Sequence, residues 1–357
     1  MSAVSRLARS LGIEAGEGRV FAWGATTLFL IGWASVSLTN VSETFFLKRV
    51  GVAHLPVVFL VNSLLLVGTT YGMSRLAART ANRLVLAITF GALAGMVLLL
   101  WLLVLAKVRA VFVLLVIAAK QLDAIALIVF WIVVGGLLHG RQAKRLYAPM
   151  IAGGTLGRIL GSFASAGIGG ALGIPALLPV ATIALGIGGV LAAQVRSMAP
   201  AHVTRMAGRR QAASTPAVFA RFHPLWQESH LFRLLVMSAL FAGTLGPMLY
   251  FQFSYIVDVA TRGANGEMRL LDVYAKLRGF INVGVLGMQL VGTPRVFRRI
   301  EHQRNLVDRG HVLGGDDRLF GDVAEESDLG LDFLAQEAVG AAQQDVGLDA
   351  DAEQFLD

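Results

Sequence analysis

The sequence predicts an all-α membrane protein, a polytopic helix bundle of about eight transmembrane helices: six, then two that open a second half. Three observations predict it. Apolar segments near 20 residues, the length that crosses roughly 30 Å of hydrocarbon at about 1.5 Å per residue, recur along the chain. Hydrophobic residues make up 55% of the 357 and charged ones 15%, with a mean hydropathy of +0.66, which would leave a soluble fold covered in apolar surface. Basic residues gather in alternate loops, the asymmetry that orients membrane helices.

The first apolar segment, 21–46, follows Arg6, Arg9 and Arg19 and lacks a small-residue cleavage site, so it reads as a retained helix and not a signal peptide. Asn40 and Glu43 lie near its far end. The second segment is 55–74, and the third, 84–105, has no charge between Val85 and Leu105. The fourth, 111–138, contains Lys120 and Asp123 in otherwise apolar sequence. The fifth, 149–170, contains Arg158 and a Gly153, Gly157, Gly161 ladder that lets a neighbouring helix approach closely. The sixth is 174–195.

A long basic stretch with Pro200, Pro216 and Pro224 then interrupts the pattern, as at the middle of a transporter built from two halves. The seventh segment, 232–256, carries Gly243, Gly246 and Pro247 before Tyr250, Phe251, Phe253 and Tyr255. Those aromatics read either as an interfacial belt or as a stacking surface for a ring. The eighth, 271–292, holds Asp272, Lys276 and Arg278 in its first half, the two cations expected to snorkel to the interface or to stand at a cavity mouth.

The division expected is therefore a cytoplasmic segment at 1–19, a six-helix bundle at 20–195, a basic cytoplasmic linker at 196–230, two further helices at 231–295 and an acidic tail at 296–357. Residues 1–300 hold 28 Lys and Arg against 8 Asp and Glu, a net of +20; residues 301–357 hold 3 against 15, a net of −12. Low hydrophobicity with high charge predicts disorder in the tail, either as a regulatory extension or as a frame-shifted end of a truncated gene. A cytoplasmic N-terminus puts Arg75, Arg79, Arg141, Lys144, Arg145, Arg209, Arg210 and Arg298 inside, against Lys48, Arg49, Lys107, Arg109, Arg262 and Arg269 outside. Because the positive charge is spread over short loops, it reads as membrane topology and not as a nucleic-acid surface.

Lys120 lies about 13 Å into its helix, Asp123 one turn further, and Arg158 at a similar depth in the next helix. Ionisable groups at that depth are costly and belong with partners or a wet cavity. Lys120 and Asp123, at i and i+3, can pair with each other. With Arg158 they sum to +1, which suits an anionic ligand or a further carboxylate. The candidate solute-binding set is Lys120, Asp123, Arg158, Asn40, Glu43 and Tyr250, expected around a cavity between the first, fourth and fifth helices. The chain has no cysteine, which excludes disulfides and thiolate chemistry. Gly-Gly-Thr-Leu-Gly-Arg at 153–158 lacks the Gly-Lys-Ser/Thr ending of a phosphate loop. No hydrolytic or metal-binding constellation lies in a span, so neither an enzyme nor a cofactor is expected.

Phe130-Trp131, then Gln142-Ala143-Lys144-Arg145-Leu146-Tyr147 in the loop after the fourth segment, then the glycines of the fifth, resemble the ATP/ADP translocase family. The resemblance extends loosely over residues 20–295. It implies a major-facilitator-like architecture and exchange of nucleotides. The chain departs from that family at Gln142, where an acidic residue is usual, at Gly135-Gly136, and in having about four fewer helices. Two readings follow: a secondary transporter of an anionic solute such as ATP or ADP, in a bacterial-type inner membrane, or a non-transporting scaffold or inactive fragment.

Overall fold

Long helices follow one another in the order of the apolar segments. The computed structural model describes residues 16–79, 82–138, 140–194, 226–227 and 230–292. The helices are α1 (Gly18–Arg49), α2 (Leu55–Arg79), α3 (Asn82–Leu105), α4 (Val111–Gly135), α5 (Gly140–Leu172), α6 (Leu177–Ala193), α7 (His230–Ala260) and α8 (Gly266–Gly287), the last extended by a π-helical turn at Met288–Gly292. Six of them, α1 to α4, α6 and α7, have segments long and apolar enough to cross a membrane. The chain is thus a helical membrane protein. The segment before residue 16, most of the basic linker and the acidic tail lie outside the described residues.

Two boundaries differ from those expected. α5 begins at Gly140, so residues 142–147 form its first turns and not a loop. Pro149 had marked a helix start; instead it sits inside α5, as prolines do in membrane helices whose neighbours compensate the lost bond. α8 begins at Gly266, which moves Arg278 to its thirteenth residue, well inside the helix.

The four connections α1–α2, α3–α4, α5–α6 and α7–α8 all turn through positive φ, at Gly51, Lys107, Gly173, and Gly263 with Asn265. After Gly51 and Gly173 a 3-10 turn feeds directly into the next helix (Val52–His54 and Ile174–Ala176). Glycine suits these corners because the lack of a Cβ opens the left-handed region. Alternating helices put all four corners on one rim, opposite the N-terminus of α1.

α1 is the central post. It packs on α4, α5 and α6 and is touched by α8. Its tightest neighbour is α5: Gly153 faces the Ala25 backbone, Gly157 faces Phe29, Gly161 faces Trp33, and in return Gly32 faces Gly154. The glycine ladder read from the sequence is therefore the α1–α5 seam. Trp23 donates from Nε1 to the Leu191 carbonyl (2.9 Å), fixing α1 to α6. Between α2 and α4, Thr69 donates to Gln121 Oε1 (2.8 Å) and Gln121 Nε2 donates to Asn62 Oδ1 (3.0 Å), so polar groups join helices where hydrophobic attraction is weak. Val57, Leu60, Leu64 and Val67 on α2, and Ile183, Ile187 and Val190 on α6, point outward. Water would penalise such faces, whereas lipid solvates them.

α7 is the least embedded helix. Its buried residues are Ser254 and Val257, both near the rim, while 233–249 is exposed apart from half-buried Val236 and Ala242.

Candidate functional site

Five charged side chains from α1, α4, α5 and α8 meet inside the bundle, in two linked groups. In the group nearer the rim, Arg278 donates from Nη2 to Glu43 Oε2 and from Nη1 to Asn40 Oδ1. The Tyr250 hydroxyl of α7 lies 3.5 Å from the same Arg278 Nη2, and the guanidinium stands 4.7 Å from the centre of the Tyr274 ring. Tyr274 donates to Ser254 Oγ (3.1 Å), bracing α8 against α7. Lys120 reaches in from α4, with Nζ 3.5 Å from Glu43 Oε1 and 5.6 Å from the centre of the Tyr250 ring. In the deeper group, Arg158 Nη2 donates to both oxygens of Asp123 (2.8 and 3.0 Å), and Ser35 donates to Asp123 Oδ1 (2.6 Å).

Local sequence explains why these groups meet. Lys120 and Asp123 are one turn apart on α4, so both face α1. Asn40 and Glu43 are one turn apart on α1 and present an amide and a carboxylate side by side. Arg158 reaches Asp123 across the glycine-lined seam, because glycines at 153, 157 and 161 bring the α5 backbone close to α1. Arg278 has a long stem, and from mid-α8 it spans the gap to α1.

The arrangement differs from the pairing that spacing suggested. Lys120 and Asp123 each take a partner on another helix, Glu43 and Arg158 respectively, instead of each other. Interhelical pairing wins because a carboxylate at this depth gains a short, charge-assisted bond from a guanidinium aimed directly at it. The further carboxylate is Glu43, but it comes with another cation, Arg278. Among the described residues, three cations against two carboxylates leave +1 in the cluster.

The site spans α1, α4, α5, α7 and α8, wider than the three helices expected. Tyr250 belongs to the cluster and not to an interfacial belt, whereas Tyr255 on the same helix is half exposed. Arg278 does not snorkel: its side chain is 17% exposed and its carboxylate partner 3%. Sequence reasoning misses it as a site residue because an apolar segment starting at 271 sets Arg278 within reach of the interface. Started at Gly266, the helix places Arg278 about 18 Å in, too deep for its stem to regain the interface easily.

Exposure grades across the cluster. The Lys120 side chain keeps 36% of its surface and the Arg158–Asp123 pair about a quarter, while Glu43 is sealed. The Lys120–Glu43 contact is a charge pair without a hydrogen bond, since Glu43 Oε1 has no hydrogen-bond partner. Lys120 is therefore the loosest and most open cation of the three.

An apolar collar that includes Phe46, Leu55, Val116, Val257, Leu270 and Tyr274 lies between the cluster and the rim. Beyond it, Lys48 donates to Asp258 (2.8 Å), and Arg49 grips Glu267 with two bonds (2.8 and 3.1 Å) while its guanidinium covers Phe45 and Phe112. Both ion pairs tie α1 to the α7–α8 hairpin. At the opposite end Glu17 accepts two bonds from Arg145 (2.6 and 2.7 Å), tying α1 to α5. Among the described residues, no three His, Asp or Glu side chains are grouped to hold a metal ion.

Comparison of the chain with family models, with curated proteins and with solved structures gives no match.

Proposed function

We propose that this chain is a secondary membrane transporter that moves a small anionic solute by alternating access, with all eight helices crossing the bilayer in a major-facilitator-like arrangement. The observation that carries the reading is Lys120 itself, a partly open mid-bundle ammonium and, among the described residues of the cluster, the cation held without a hydrogen bond to a carboxylate. A charge kept at that depth is expensive and belongs to a transport pathway more readily than to packing. Arg158 and Arg278 are committed to carboxylates and hold the shape of the site. Nucleotides such as ATP and ADP are the first solutes to test, followed by inorganic phosphate and organic phosphates. In this reading the N-terminus is cytoplasmic and the protein resides in a bacterial-type inner membrane.

A second reading, a non-transporting scaffold, is favoured by one observation: both carboxylates already have an arginine.

Uptake into liposomes containing the purified full chain separates the two. Lys120→Ala is expected to abolish anion-driven uptake or exchange while the unfolding temperature in detergent moves by less than about 2 °C, because no hydrogen bond is lost. Arg158→Ala is expected to lower both, since it leaves Asp123 unpaired. Unchanged uptake of every transported anion in the Lys120 variant would sink the transporter reading as built on this residue.

Topology has its own test in this cysteine-free chain. Single cysteines at Val50, in the corner before α2, and at Ser74, in the last turns of α2, should react with an impermeant maleimide from opposite faces of right-side-out vesicles, Val50→Cys from outside. Labelling from one face removes α2 as a span and the orientation with it.

A further inference from the structure

Two polar atoms of the cluster are enclosed and have no hydrogen-bond partner: Asn40 Nδ2 and Glu43 Oε1. The orientation of the Asn40 amide follows from its other contact. Arg278 is only a donor, so the atom facing it must be the carbonyl Oδ1, and the amide nitrogen turns away with two hydrogens to give. Glu43 spends Oε2 on Arg278; Oε1, with the Lys120 ammonium 3.5 Å away and the Tyr250 hydroxyl beside the same carboxylate, keeps lone-pair capacity as an acceptor. The residues are three apart, so the spare donor and the spare acceptor lie on the same face of α1. Native proteins rarely leave such groups unsatisfied, because each costs as much as a lost hydrogen bond.

Building on the proposed anion site, we propose that its solute is a hydroxylated anion. Its negative group goes to Lys120, and a neighbouring hydroxyl accepts from Asn40 Nδ2 and donates to Glu43 Oε1. A solute hydroxyl does both, replacing the water that would otherwise bridge the two atoms. An ammonium would satisfy Glu43 but leave Asn40 without an acceptor, and it would stand against the cations Lys120 and Arg278. A methyl group satisfies neither atom. Lys120 supplies the way in. Its ammonium lies over Glu43 Oε1 as a charge contact on a flexible stem, and turning toward an incoming anion uncovers that oxygen.

Sites built to bond a hydroxyl reject the analogue that lacks it far more strongly than apolar pockets reject an added methylene. Two matched sets test this by calorimetry on the full chain in lipid nanodiscs: 3-hydroxypropyl phosphate, propyl phosphate and 3-aminopropyl phosphate, and 3-hydroxypropionate, propionate and β-alanine. In at least one set the hydroxylated probe is expected to bind about tenfold or more tighter than both partners. Asn40→Asp keeps an acceptor for Arg278 and removes the donor; its added charge weakens every anion of a set alike, so the readout is the ratio within the set, which should fall to about one with the protein still folded. Equal binding within both sets, preference for the amine, or a preference that survives Asn40→Asp overturns the hydroxyl assignment alone. If no probe binds but uptake of another anion requires Lys120, the hydroxyl assignment falls and the transport reading stands. If no probe binds and no anion is taken up, both fall.

Discussion

Arg278→Ala is expected to destabilise the protein by about 3–5 kcal/mol, the range for removing one partner of a buried ion pair. The loss strips Glu43 of its guanidinium and leaves the Asn40 carbonyl without its donor, both inside the bundle. Lys120 stays 3.5 Å from Glu43 and softens the loss, which places the expected value at the lower end of the range. Adding Glu43→Gln to Arg278→Ala should recover a large part of it, because the stranded charge is then gone. Glu43→Ala alone should also destabilise, by leaving Arg278 and Lys120 as unpaired like charges. Denaturant titration of the purified protein in detergent, read by tryptophan fluorescence, measures all three. A single-variant loss below 1 kcal/mol, or a double variant weaker than Arg278→Ala, would show that Glu43 is not held as an ion.

The second large effect belongs to the α1–α5 seam. A Cβ on Gly157 would overlap the carbonyl of Phe29, with the Phe29 carbonyl carbon and Cα 2.7 and 2.8 Å away. These are backbone atoms, so no rotamer change makes room. Gly157→Leu should cost about 3 kcal/mol, the upper end for overpacking, and because Arg158 is the next residue the Asp123 contact should weaken as well. Gly167 on the same helix has nothing within 4 Å of a built Cβ. Gly167→Ala should therefore be neutral or slightly stabilising, as expected for replacing a helical glycine. Loss of monodisperse protein on size-exclusion chromatography for Gly157→Leu but not for Gly167→Ala distinguishes close approach from a general dislike of substitution in α5. Equal behaviour of the two would remove the seam as the explanation.

The helices were legible because hydrophobic length is read directly from residues: α3, with no charge between Val85 and Leu105, left no alternative. Boundaries were less legible where a local signal competed with membrane context, as at Pro149, which stops a helix in water but is carried within α5. The site was half legible. Depth along a helix identifies an intramembrane charge, so Lys120, Asp123 and Arg158 stood out. Partnership does not follow from depth, because a residue's neighbours across the bundle depend on how each helix is rotated. Spacing within α4 therefore suggested Lys120 with Asp123, whereas facing helices supplied Glu43 and Arg158. Arg278 was obscured by a start point for α8 set five residues late. The rim pairs Lys48–Asp258 and Arg49–Glu267 join residues more than 200 positions apart, a distance no local pattern reports.

The uneven embedding of α7 gives it the mechanics of a cantilever. It is clamped at the rim end, where Lys48 grips Asp258 and Val257 enters the apolar collar, and its other arm, from His230 to Pro247, projects along an exposed flank. That arm is about 26 Å long, so a tilt of about 10° at the clamp carries its tip about 4–5 Å. Tyr250 lies close to the fulcrum and travels a fraction of that distance. A tilt about that clamp would sweep the far arm widely while the hydroxyl stayed beside Arg278, a lever that could move without releasing the load it is set against.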